Sequence, residues 1–158
     1  MRQIAVLLMA AALFSNLAGQ TNIGGNLGGM TLDSTGNPYV VDRDIIIPKG
    51  KYLTINSGCN LLFNPFTGIT VRGNLKVMGT QEYPVLFTSI NDSALNPQAT
   101  QSPDAFDWNG ILVAKESGDV EVRFANLRYS VYGIKCQNPD IHRVDTQVVG
   151  NSSARQRA

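Results

Sequence analysis

Short runs in which apolar and polar residues alternate recur along the chain from Pro38 onward, and each run is bounded by Gly, Asn, Pro or Asp. A period of two over a few residues, with turn-forming residues on either side, is typical of short β-strands. No stretch of a dozen residues after residue 19 has helical periodicity, so the pattern predicts an all-β fold. The apolar members of the runs are Ile45 and Ile47; Leu53 and Ile55; Leu61 and Phe63; Ile69 and Val71; Leu75 and Val77; Val85 and Phe87; Ile111 and Val113; Val120, Val122 and Phe124; and Leu127 and Tyr129.

One spacing recurs among these runs. Three pairs of apolar residues are each 22 positions apart: Ile47 and Ile69, Leu53 and Leu75, and Ile55 and Val77. A fixed spacing of this length is typical of a solenoid, in which equivalent side chains of successive coils stack on one another. The alternative, a β-sandwich, needs longer strands joined by tight turns such as Asn-Gly, which are scarce here. The spacing therefore favours a solenoid of about five coils of roughly 22 residues each.

The first 19 residues have a different character. Arg2 is followed by eleven residues, 4–14, without a polar side chain, and then by small and polar residues up to Gly19. This order is typical of a secretory signal peptide, and the apolar run is shorter than the roughly 20 residues that cross a bilayer. We therefore expect residues 1–19 to be removed on export. The alternative is a buried apolar helix at the start of a cytosolic protein.

The mature chain then divides into three parts by composition. Residues 20–37 are rich in Gly and Asn and predict a flexible lead-in. Residues 38–138 hold the alternating runs and predict the solenoid. Residues 139–158 lose the pattern, which predicts a frayed or poorly defined tail. No later segment could anchor the mature chain in a membrane, so we expect a secreted, extracellular or cell-surface protein, with the periplasm as the alternative compartment.

Charge and chemistry exclude several classes of function. The chain has 13 basic and 12 acidic residues, whereas nucleic-acid binding by phosphate neutralisation requires a cationic excess. His142 is the sole histidine, which excludes a metal site built on two histidines. An even number of cysteines allows a disulfide in an exported protein. However, Cys59 occupies an inward position and lies several coils from Cys136, so we interpret it as a small core residue.

Several short motifs place glycine or proline beside paired apolar residues. They are Pro48-Lys49-Gly50 before Leu53-Thr54-Ile55 and Gly58; Leu75, Val77 and Gly79-Thr80; Pro84-Val85, Phe87 and Thr88; Trp108, Gly110 and Ile111; and Tyr129-Ser130, Tyr132, Gly133 and Ile134. These motifs resemble those of bacterial secreted right-handed parallel β-helix proteins, the pectate-lyase-like superfamily. The resemblance covers about residues 38–138 and implies a right-handed, single-stranded, three-sided parallel β-helix. The family includes polysaccharide lyases and hydrolases as well as adhesin-like surface proteins, so it implies a fold more specifically than an activity.

The long loop 91–107 exceeds what a coil needs, and loops of this length are often functional. Its carboxylates could accept hydrogen bonds from sugar hydroxyls or bind Ca²⁺, and the aromatic faces of Phe106 and Trp108 at its exit could stack on a sugar. The candidate binding residues are Asp92, Asp104, Asp107 and Trp108. The alternative is a solvated excursion whose tryptophan packs back on the coil as an anchor. Ca²⁺ is a weaker second candidate ligand, and no other cofactor is expected.

Catalysis would require acidic metal ligands and a base on one sheet face, as the family's lyases have. Arg123 and Arg128 are the best-placed bases, with Glu121 nearby, and even spacing predicts that Glu121 and Arg123 form an outward ion pair. We therefore predict no catalytic residue. The leading hypothesis is an exported, non-catalytic β-helix module that binds a polysaccharide or cell-surface partner. The alternative is a polysaccharide lyase or hydrolase, or a truncated fragment of one.

Overall fold

The computed structural model describes residues 19–140 and the backbone of residues 150–151. The predicted signal peptide, apart from Gly19, lies outside the described residues, as do His142 and most of the predicted tail. Of that tail, the pair Gly150–Asn151 forms a short strand. None of the helical structure in the described ranges is long and apolar enough to cross a membrane.

The described residues are all-β, with one short 3₁₀ helix at Ser34–Gly36 and no α-helix. Most strands are three to six residues long, as the short alternating runs predict, and one is longer. The strands are β1 Thr21–Asn26, β2 Met30–Leu32, β3 Tyr39–Ile47, β4 Tyr52–Asn56, β5 Asn60–Phe63, β6 Gly68–Val71, β7 Asn74–Met78, β8 Val85–Ser89, β9 Gly110–Val113, β10 Val120–Arg123, β11 Ala125–Leu127, β12 Ile134–Cys136 and β13 Gly150–Asn151.

Three ladders of parallel strands organise the molecule. The first ladder contains the start of β3 followed by β5, β8, β11 and β13; the second contains the end of β3 followed by β6, β9 and β12; the third is β2, β4, β7 and β10. Strand β1 pairs with β3 along both of its halves. Every strand pair of the described chain is parallel, which excludes a sandwich of hairpins. The architecture is compatible with a β-solenoid.

The register confirms two of the three 22-residue spacings. Leu53 lies opposite Leu75, and Ile55 lies opposite Val77. The third expectation is wrong, because Ile69 lies opposite Ile45 rather than Ile47.

Two connections of unequal length explain this shift. The connection from the first to the second ladder takes three residues after Val41 but five residues after Phe63. The next connection is shorter by the same two residues, which restores the 22-residue period at β7. A slip of two residues keeps every side chain on its original face, so the core is preserved.

The inward side chains of the three ladders form one contiguous apolar core. Burying each such side chain contributes about 1.5–3 kcal/mol, so the stack is the main source of stability. Cys59 belongs to this core, as expected from its inward position, and burial raises the pKa of its thiol to about 11. Cys136 is exposed, and both cysteines are free.

The prediction of a flexible lead-in at residues 20–37 is wrong. This segment forms β1, β2 and the 3₁₀ helix, and its apolar residues Ile23, Leu27 and Leu32 are buried in the core. Leu27 and Leu32 are separated by an odd interval and by glycines, which hides the period of two. Pairing of β1 with β3 orders the start of this segment, which its composition did not indicate.

Two alternating runs also end earlier than predicted. Phe124 and Tyr129 were expected to continue the inward pattern of their strands, but each has a positive φ, 44° and 61°, and is only partly buried. A left-handed backbone turns the chain and stops the alternation. Both residues therefore lie at corners between ladders.

Candidate functional site

The long loop leaves the coil at the corner between the first and second ladders. Residues 90–109 connect β8 to β9, whereas residues 64–67 make the equivalent connection from β5 to β6 in the preceding winding. The loop is thus an insertion at one corner, and its flanking strands keep their parallel register with that winding. Any binding residue of the loop therefore lies at this corner.

Asp92, a predicted binding residue, is buried at the start of the loop. Its Oδ2 accepts a hydrogen bond of 2.8 Å from the Thr88 hydroxyl and lies 3.5 Å from Nη1 of Arg128. Its Oδ1 accepts a bond of 3.2 Å from the backbone N–H of Ala94. Oδ2 of Asp92 therefore connects the loop to the coil, and Oδ1 stabilises the first turn of the loop itself.

Asp107 performs the same task at the end of the loop. Its Oδ2 accepts hydrogen bonds from the Ser89 hydroxyl at 2.5 Å and from Nδ2 of Asn91 at 3.2 Å. Its backbone N–H donates to the carbonyl of Tyr129 in the next winding at 3.1 Å. Asp107 therefore joins the two ends of the loop to each other and to the coil.

Asp104 is the one predicted carboxylate that is exposed, and its Oδ1 accepts a local hydrogen bond from the backbone N–H of Ala105 at 2.6 Å. The structure thus places Asp92, Asp104 and Asp107 in different environments instead of converging them. Over the described ranges, no group of three His, Cys, Asp or Glu side chains is arranged to hold a metal ion.

Trp108 is fully buried, which corrects its prediction as a sugar-stacking residue. Its ring stacks on Phe63 with centroids 4.1 Å apart, and its Nε1 donates to the carbonyl of Arg128 at 2.7 Å. Both faces and the polar edge of the indole are therefore occupied within the protein. Trp108 anchors the end of the loop, which is the alternative role considered from the sequence.

Two phenylalanines, in contrast, project from this corner into solvent. Phe66 is 80% exposed and Phe106 is 67% exposed. They come from neighbouring windings, since the backbone N–H of Phe66 donates to the carbonyl of Asp107 at 3.0 Å. Phe66 also has a φ of 64°, a left-handed conformation that costs a bulky residue of order 1–3 kcal/mol. Neither ring contributes to the core, so folding alone does not explain them.

Tyr132 extends the same corner by one more winding. Its half-buried ring covers Gly110, where a Cβ atom would lie only 2.9 Å from Tyr132 Cδ2. Burial raises the pKa of the Tyr132 hydroxyl, and the nearby charge of Asp44 raises it further, so the group stays protonated at neutral pH. We call Phe66, Phe106 and Tyr132 the aromatic corner.

The charged groups around the aromatic corner are mostly acidic or already paired. Asp44 Oδ1 accepts from the backbone N–H of Gly68 at 2.9 Å. Arg43 lies 3.0 Å from the carboxylate of Asp42, and Arg128 is engaged by Asp92.

Glu121 and Arg123, the acid and base considered for catalysis, lie on the third ladder, with Arg123 Nη2 2.6 Å from Glu121 Oε1. This confirms the predicted outward ion pair.

Sequence reasoning missed Phe66 and Tyr132 as members of a surface site. A usable indication was present, because both are aromatic residues in polar, turn-forming segments outside the alternation of the flanking strands. An aromatic residue in a turn has no inward position to fill. The proximity of the segments that contain Phe66 and Tyr132 could not be predicted, because it depends on the register across the inserted loop.

No protein-family model matches the chain, and no solved structure matches it. Over 64 residues, 40% of this chain, it is 39% identical to protein bark beetle of Drosophila melanogaster. The chain spans about 2% of the length of this curated relative. The similarity is therefore local.

Proposed function

We propose that the chain is an exported, non-catalytic, right-handed parallel β-helix module that binds a carbohydrate or cell-surface partner. The parallel ladders, which the chain visits in the same order in successive windings, support the three-sided helix. Five coils would accommodate the strands from β1 to β12, and β13 would begin a sixth. Export is supported by the leader-like pattern of residues 1–19.

Binding is supported above all by the exposed pair Phe66 and Phe106 on neighbouring windings. Aromatic side chains are enriched where proteins bind partners, because they bury a large rigid area at low entropic cost. The C–H face of a sugar ring is apolar and flat, so it can pack on such a ring.

A non-catalytic role is supported by the way that the charged groups are used. General acid and base chemistry needs carboxylates or bases free to face a substrate. Asp92 and Asp107 are held by loop hydrogen bonds, and Glu121 is paired with Arg123. These candidate residues therefore make contacts within the scaffold.

The test combines binding with product analysis. The full chain, purified after export from a host that processes its leader, is incubated with cellulose, xylan, mannan, pectin and alginate and with whole cells. We expect retention on at least one polymer or on cells, with neither new reducing ends nor unsaturated products. Turnover of a polymer would establish the enzymatic alternative, and failure to bind any polymer or cell would contradict the binding role.

A further inference from the structure

We propose that the aromatic corner binds a neutral polysaccharide chain rather than a polyuronate, and that the chain crosses neighbouring windings over Phe66 and Phe106. This inference rests on the proposed function and specifies its ligand. It is drawn from the position of the two exposed rings, the charges around them and the hydrogen-bonding groups beside them.

The position of the rings favours an extended ligand. Phe66 and Phe106 belong to adjacent windings, and strands of adjacent windings are about 4.8 Å apart. Tyr132 lies one winding further, since Gly110 pairs with Gly68 on one side and accommodates the Tyr132 ring on the other. A ligand that packs on all three rings must therefore run along the axis of the ladders. A linear polymer of flat rings has this shape.

The charge of the corner disfavours an acidic polymer. The carboxylates of Asp44 and Asp104 lie in the segments that form or border the corner, and both residues are exposed. Arg43 and Arg128, the cations that flank these segments, are each paired with an aspartate. A polyuronate carries one carboxylate per sugar, so it would meet these two carboxylates where both flanking arginines are already paired, and such juxtaposition of like charges is costly.

The polar groups of the corner suit hydroxyl-rich rings. The carboxylates of Asp44 and Asp104 can accept hydrogen bonds from sugar hydroxyls, and the protonated Tyr132 hydroxyl can donate one. Asp44 is close enough to Tyr132 to influence its ionisation. The corner thus offers apolar faces with acceptors and a donor at their edges, as a neutral hexose or pentose polymer requires.

The experiment compares polymers and variants of the full chain. Binding to cellulose, xylan and mannan is measured by co-sedimentation next to polygalacturonate and alginate. Phe66→Ala and Phe106→Ala each remove one ring, and Phe66→Asn does so with a residue that tolerates positive φ. Tyr52→Ala and Tyr83→Ala are matched controls, because they remove exposed aromatic rings away from this corner.

We expect the wild type to bind a neutral polymer and not the polyuronates. Each corner variant should weaken binding by about tenfold, as truncation of an aromatic anchor does, while the controls stay within about twofold. Preference for a polyuronate, or equal binding by corner and control variants, would overturn this inference and leave the carbohydrate-binding module standing. Absence of binding to every polymer and to cells would overturn both.

Discussion

The third ladder and the long loop show two ways in which this chain becomes ordered. In the third ladder, Leu53, Leu75 and Val120 lie opposite one another in successive windings, and the core is built from aliphatic side chains alone. In loop 90–109, buried polar groups carry the structure. Hydrophobic spacing therefore specifies the coil, whereas specific hydrogen bonds specify its insertion.

The conformation of the loop is held by a few buried polar residues. Thr88, Ser89, Asp92 and Asn96 are buried, and Nδ2 of Asn96 donates to the carbonyl of Ile90 at 2.7 Å. Buried polar groups must be hydrogen-bonded, and removing one partner leaves the other unsatisfied. Trp108 then supplies the one large apolar contact that closes the loop on the coil.

We expect the largest loss of stability when Trp108, which anchors the end of the loop on the coil, is truncated. Trp108→Ala should lower the free energy of unfolding by about 3–5 kcal/mol, because it removes a fully buried ring from its stack with Phe63. Phe106→Ala, only two residues away but exposed, should change it by less than about 0.5 kcal/mol. Urea unfolding of the two variants measures this contrast. Similar losses in both would mean that the loop is not anchored as described.

The next largest loss of stability is expected in the third ladder. Leu75→Ala should cost about 2–5 kcal/mol, since it opens a cavity between Leu53 and Val120. Lys76→Ala, on the exposed side of the same strand, provides the control and should be near neutral. Equal unfolding midpoints for the two variants would contradict the inward stacking of this ladder.

A smaller and more local effect is expected in the loop. Asp92→Ala should cost about 1–3 kcal/mol, because the Thr88 hydroxyl loses its acceptor and Arg128 loses its ion-pair partner. Limited proteolysis should cut the variant within residues 93–106 faster than the wild type, with the rest of the chain resistant. Asp104→Ala should leave the cleavage rate unchanged. If the two variants are cut equally, the Asp92 network does not hold the loop.

The smallest effect is a difference in thiol reactivity between the core and the surface. Cys59 is buried with its pKa raised to about 11, so at pH 8 a thiol reagent should modify exposed Cys136 and leave Cys59 intact until the protein is unfolded. The neutral thiol also favours the folded state. Its contribution is fully present below pH 9 and is lost as the pH rises through about 11.

Mass spectrometry of the labelled protein locates the modified thiol. The unfolding free energy of the wild type relative to Cys59→Ala, measured from pH 8 to 11, checks the direction of the pH effect. Modification of Cys59 in the folded protein would place it outside the core.

The strands of the coil and part of their register could be predicted from the sequence. Period-two runs predicted the cores of β3 to β10, and the 22-residue spacing predicted the stacking of Leu53 on Leu75. The same spacing failed for Ile47, because corner lengths vary while their sum is kept. The composition of residues 20–37 predicted a flexible lead-in, but pairing with β3 orders this segment although it is poor in apolar residues.

The candidate site was less accessible to sequence reasoning. The loop was identified from its length, but the burial of Asp92 and Trp108 follows from tertiary hydrogen bonds and stacking that no local pattern encodes. Phe66 was missed because it becomes a candidate binding residue only through its proximity to the end of the long loop. Phe66 lies next to Asp107, one residue from Phe106, because the insertion returns to register at Gly68 and Gly110.

The most direct test of the account is a cross-link between successive windings. Thr54 and Lys76 lie opposite each other on β4 and β7, at a spacing within the Cα range that a disulfide bridges. In the full chain carrying Cys136→Ser, the pair Thr54→Cys and Lys76→Cys should oxidise to an intramolecular disulfide. The pair Thr54→Cys and Glu121→Cys, two windings apart, should not. Failure of the first pair to cross-link, or efficient cross-linking of the second, would contradict the stacked parallel windings.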